Sequence, residues 1–103
     1  MDEPKLPEPI EFEWDSGNKI KNQLKHGIIN RETEEAFFRH KLIVPDQRHS
    51  AAEQRFGMYG QTNEGKTLFI AFTIRDRRVR IISARPADKK ERKIYEESIK
   101  KTA

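Results

Sequence analysis

The 103-residue chain contains no cysteine. Disulfide bonds, thiolate zinc sites and thiol nucleophiles are thereby excluded, and the composition agrees with a reducing compartment. Long apolar runs are missing too: no segment approaches the roughly 20 residues that a membrane-spanning helix needs. The opening, "MDEPKLPEPI", is acidic and proline-rich where a secretory signal would be basic and then apolar, so the expected location is the cytoplasm. No glycine-rich phosphate loop, GxSxG elbow or HExxH helix occurs, which leaves a nucleotide-dependent enzyme or a zinc hydrolase without support. No cofactor is expected. Internal repeats and low-complexity tracts are also absent.

What is present is charge. Charged residues make up 37% of the chain and hydrophobic ones 34%, toward the polar end of globular proteins. The apolar residues are nevertheless clustered and periodic, as in a chain that folds around a modest core. The length suits one domain. The net charge of +4 conceals an asymmetry: residues 1–74 hold 10 Lys and Arg against 12 Asp and Glu, whereas residues 75–103 hold 11 against 5. The basic character therefore belongs to the end of the chain, as in a localised footprint for a polyanion, although a solvated helix face has the same composition.

Three prolines within "MDEPKLPEP" block helix and sheet pairing, so residues 1–9 are expected to form a mobile arm and residues 10–103 the domain. "IEFEW" sets Ile10, Phe12 and Trp14 on one side and Glu11 and Glu13 on the other, the period of a strand with one wet face. Asp15 can cap a first helix, "SGNKIKNQLKHG", which His26 and Gly27 would end. Asn30 is placed to cap a second, with Ala36, Phe37 and Phe38 for burial. Pro45 and the polar stretch after it interrupt the pattern. From Gln54 onward, "QRFGMYGQT", "TLFIAFTI" and "VRIISA", separated by the turns "NEGK" and "RDRR", predict a three-stranded antiparallel meander with Leu68–Ile74 central. Pro86 stops the last strand, and Asp88 with Glu91 forms a capping box for a final helix. The expected fold is α+β in two layers: an antiparallel sheet with helices packed on one face.

Within "RVRIISARPADKKERKIYEE", strand parity puts Val79 and Ile81 on one face and Arg80 on the other. Arg85 falls on the opposite parity unless the bend at Pro86 redirects it. Each guanidinium either pairs with a carboxylate such as Glu11, Glu13 or Glu53, or meets an anion, because the same fork of donors serves both. Arg48, His49, Glu53 and Arg55 fall within one loop and strand start, an arrangement that can supply an acid, a base and an anion contact. His26 is explained by a helix C-terminus, and His40 has no pattern around it. Trp14 could stack on a base, but beside Phe12 at a strand end it reads more simply as core.

Taken together and in order, "FEWDSGNKIKNQLKHGI", "EEAFF", "PDQRHSAAEQRF", "FTIR", "RIISAR" and "KKERKIYEE" resemble the BrnT family, toxins of type II toxin-antitoxin modules related to the RelE superfamily. The resemblance runs from Phe12 to about Glu97. It implies a RelE-like fold, a metal-independent endoribonuclease that arrests translation, and a BrnA-like antitoxin with a ribbon-helix-helix domain, the complex repressing its own promoter by binding operator DNA. On that basis Arg80 and Arg85 would stabilise phosphate, and His49, Glu53, His26 or Tyr95 would supply the base and acid. Arg55, Lys25, Arg78 and the turn residues Lys89, Lys90 and Arg92 would add positive potential. Tyr95 equally forms a packing face with Ile94 and Ile99. The alternative function is a non-catalytic module that uses the same basic surface only to dock an antitoxin or nucleic acid.

Overall fold

The computed structural model describes residues 5–14, 26–46 and 54–102. Its elements are β1 (Phe12–Trp14), α1 (Asn30–Ala36), β2 (Lys41–Asp46), β3 (Arg55–Gln61), β4 (Thr67–Arg75), β5 (Arg78–Pro86) and α2 (Lys89–Thr102). The strands form one five-stranded sheet in the order β1-β5-β4-β3-β2.

The expected meander is present as β3, β4 and β5, paired antiparallel with β4 central. Two features of the sheet differ from expectation. β1 pairs parallel to β5, Phe12 against Val79 and Trp14 against Ile81, so the sheet is mixed rather than antiparallel. A fifth strand, β2, extends the far edge against β3. Pro45 suggests a break, but a proline is tolerated on an edge strand, where one row of amides has no ladder partner. The β-branched and apolar run Leu42–Val44 carries the pairing. The expected first helix lies outside the described residues except for its end, where Gly27 takes a φ of 67°. That left-handed conformation suits a helix stop and favours glycine.

One face of the sheet holds the core. Phe56 and Met58 of β3, Leu68, Ile70 and Phe72 of β4, and Val79, Ile81 and Ala84 of β5 bury there with Ile28, Ala36 and Phe37. Phe37 sits edge-on between Phe12 and Phe72, at centroid distances of 5.2 and 5.3 Å. Gly60 permits α1 to lie this close, since a Cβ there would stand 3.1 Å from the Ala36 Cβ. Two capping details shift. Ile29, not Asn30, precedes the helix, and the Glu32 carboxylate accepts its N–H at 3.1 Å. Phe38, expected in the core, is 66% exposed. Leu6 and Ile10 pack against the core, so part of the expected arm, from Leu6 onward, lies along the domain.

The helices do not share one face. α1 covers the core face, whereas the start of α2 reaches the other, where Glu91 meets Arg85 and Tyr95 buries outside the core cluster. The Asp88–Glu91 capping box is formed as expected, with Glu91 N–H donating to Asp88 at 2.8 Å and Asp88 N–H to Glu91 at 2.9 Å. Of its expected packing residues Tyr95 is buried and Ile94 is exposed.

Candidate functional site

The face opposite the core carries the basic residues, and one irregularity of β5 decides which of them share it. Ala71 pairs with Ser83 and Phe72 with Ile81, so Ile82 has no partner on β4 and forms a β-bulge. The extra residue resets the alternation. Arg80, opposite Thr73, and Arg85, opposite Phe69, are five residues apart and would face opposite sides of a regular strand; the bulge puts both on the same one. Arg78 precedes them on that face, opposite Arg75. β5 thus carries a ladder of Arg78, Arg80, Ser83 and Arg85.

A row also runs across the sheet. Glu13 of β1 lies beside Arg80, Thr73 lies on its other side, and the β3–β4 register carried one residue past Phe56–Phe72 brings Arg55 to Thr73. The Thr73 hydroxyl is buried and donates to the Gln54 carbonyl at 2.8 Å, which ties the start of β3 to the ladder. Arg55 and Arg80 therefore flank Thr73, about 10 Å apart at the backbone by the spacing of strands.

Each ladder arginine faces a carboxylate, but the contacts differ in kind. Arg78 Nε stands 3.5 Å from Glu11 and Arg80 Nε 3.7 Å from Glu13, single long contacts between partly exposed side chains. Such pairs contribute little and exchange readily for other anions. Arg85 is held differently. Its two terminal nitrogens donate to the two Glu91 oxygens at 2.7 and 2.9 Å, and its guanidinium lies 4.7 Å from the Phe69 ring centroid. Hydrogen bonding to Glu91 raises the Arg85 pKa against the opposing effect of burial, and the same bonds hold the Glu91 carboxyl below its ordinary value. Tyr59 lies beside this group, its ring 5.4 Å from that of Phe69. Burial, followed by the Glu91 charge, pushes its phenol pKa up.

The other candidates separate clearly. Tyr95 is 1% exposed, its hydroxyl donates to the His40 carbonyl at 2.8 Å, and burial raises its pKa, so it belongs to the packing of α2 against the start of β2. Ser98 beside it bonds the His40 ring at 3.1 Å. Trp14 packs, partly buried, against the core and donates its indole N–H to Glu34 at 2.8 Å, in line with its reading as core. Lys89 and Lys90 are exposed at the first turn of α2, and Arg92 donates to the Ala87 carbonyl at 2.9 Å. His26 is half-buried beside Gly27. Lys25, His49 and Glu53 lie outside the described residues. Sequence reasoning missed Tyr59, Phe69 and Thr73. The signal available was Gly57 within β3, because a glycine inside a strand marks a close approach. A Cβ there would stand 2.9 Å from the Phe69 ring.

Fold and site together define a class: a small α+β protein built on one mixed sheet, with a guanidinium-rich face opposite its core. The chain belongs to the BrnT family, since residues 14–91 match the model of the ribonuclease toxin, BrnT, of type II toxin-antitoxin systems. Membership supports ribonuclease chemistry and implies an antitoxin partner. The fold is similar to the crystal structure of the Brucella abortus ribonuclease toxin BrnT, with a TM-score of 0.60 and 20% identity over 78% of this chain and 99% of that one. Comparison with curated proteins gives no match. Among the described residues no helix is long and apolar enough to cross a membrane.

Proposed function

We propose that the protein is an endoribonuclease toxin acting on RNA at the β5 ladder, without a metal. The observation that carries this is the β-bulge at Ile82, which brings Arg80 into line with Arg85 on a face opposite the core. Cleavage requires a base to take the proton from a ribose 2′-OH, so that O2′ attacks phosphorus. The P–O5′ bond then breaks, and an acid returns a proton to O5′. Negative charge grows on the non-bridging oxygens, where fixed guanidinium donors stabilise it best. Arg80 takes that role because Glu13 holds it only through a long contact, and Arg85, already engaged by Glu91, fixes the end of the ladder. Arg55 and Arg78 add potential along the same face, with Lys89, Lys90 and Arg92 as an outer basic collar, and Lys25 is a further proposed phosphate contact. His49 and Glu53, a few residues before Arg55 in the chain, and His26 are the proposed base and acid.

In the cell this activity would halt translation in the cytoplasm until a BrnA-like antitoxin with a ribbon-helix-helix domain covers the ladder. The complex of the two would repress its own operator. The test is induction with and without the antitoxin gene. Growth arrest and fragmented RNA are expected only without it, while unchanged growth and intact RNA would overturn the proposal. A second reading has its own support: Arg78, Arg80 and Arg85 all face carboxylates within the chain. A surface that accepts carboxylates can dock an acidic antitoxin segment without cleaving anything, and intact RNA beside tight antitoxin binding would favour it.

A further inference from the structure

Beside the ladder, the open face is not uniformly charged. Tyr59 of β3 and Phe69 of β4 are register neighbours there, half-buried, with rings 5.4 Å apart. Gly57 leaves room for the Phe69 ring to lie over β3, and Arg85 lies against that ring. Glu91 grips the Arg85 guanidinium with two hydrogen bonds, which holds the cation over the Phe69 ring before any ligand arrives. Tyr59 differs from the other tyrosine in its exposure. Tyr95 is buried with its hydroxyl satisfied within the fold, whereas Tyr59 is half-buried and keeps its hydroxyl open to solvent.

We propose that Tyr59, Phe69 and Arg85 form a nucleobase platform, on which one unpaired base of single-stranded RNA stacks while its backbone follows the β5 ladder. This rests on the ribonuclease reading and names a contact within the same site. Aromatic rings and arginine planes are the surfaces on which unpaired bases stack, and such stacking tolerates any base. The adjoining cations suit a nucleic acid better than an uncharged ligand. Neighbouring strands lie about 4.8 Å apart, so a base attached to a backbone on β5 can reach across β4 toward β3. The Tyr59 hydroxyl is then free to donate to, or accept from, the edge of that base.

The test compares two probes of equal length and charge: a single-stranded oligoribonucleotide and its abasic ribose-phosphate counterpart. The wild-type chain should bind the base-bearing probe more tightly. Tyr59→Ala should lower affinity for it about tenfold, within the range for one base–aromatic stack, and leave the abasic probe unaffected. Tyr59→Phe, which keeps the ring and the packing, should retain most of the affinity, with an unchanged Tm as proof of folding. Equal wild-type affinity for both probes would overturn the platform while leaving the phosphate ladder standing. Failure to bind either probe would overturn both. Unchanged RNA affinity in a folded Tyr59→Ala protein would also overturn the platform and leave the cluster to a protein partner.

Discussion

At the scale of single side chains, what separates Arg80 from Arg85 is the quality of its carboxylate partner. Arg85 has two short bonds to Glu91, whereas Arg80 has one 3.7 Å contact with Glu13. On the proposed reading Glu13 competes only weakly with phosphate, so Glu13→Gln should raise RNA affinity modestly, about twofold; a binding titration checks this. Tyr95 provides the opposite case. Tyr95→Phe removes its bond to the His40 carbonyl and should lower stability by about 1 kcal/mol without slowing RNA cleavage. A loss of activity at unchanged Tm would return Tyr95 to the chemistry. Single residues were legible where one local rule governed them: the Asp88–Glu91 box needs only its spacing, and Arg80 only strand parity. The partner of Trp14 was not legible, because Glu34 lies 20 residues away and only the packing of α1 beside β1 brings it near.

At the scale of elements, the junction between β5 and α2 is held by charge. Glu91 accepts the Asp88 N–H and both nitrogens of Arg85, and its folded pKa lies below the ordinary value of 4.5. The stabilisation is thus complete above that ordinary value and is lost as pH falls through the lowered folded one. Because Arg85 is 40% exposed, screening limits the pair to about 1 kcal/mol at neutral pH. Thermal melts should accordingly show Glu91→Gln less stable than wild type at pH 7, with the gap closing below pH 4.5. The β4–β5 turn supplies another expectation. Asp76 and Arg77 both have positive φ, at 51° and 62°. Arginine carries a steric penalty there that glycine does not, so Arg77→Gly should raise stability by up to about 1 kcal/mol. Alternation revealed the strands that obey it, yet it could not reveal the bulge, whose extra residue appears only when β5 is laid against β4. The parallel pairing of β1 is equally non-local, and β2 was hidden because a proline on an edge strand looks in sequence like a break.

At the scale of the whole molecule, the division of charge along the chain becomes a division of faces. The apolar residues of β3, β4 and β5 close one side of the sheet, and the arginines of the basic C-terminal third open on the other. RNA held mainly through phosphate must then bind less tightly as salt rises. For single strands the slope of log K against log salt is about −0.7 for each neutralised phosphate, so removing one ladder arginine should flatten it by about that amount. If RNA binds there as proposed, an antitoxin that covers the ladder would exclude it. The most direct test of a ladder that cleaves RNA is the rate at which the purified chain cuts a single-stranded substrate, wild type against Arg80→Ala, with melting temperatures measured in parallel. The expected result is cleavage by wild type and a rate at least about a hundredfold lower for Arg80→Ala, the scale of one lost charge-stabilising donor, at nearly equal Tm. Equal rates in the two folded proteins would contradict it.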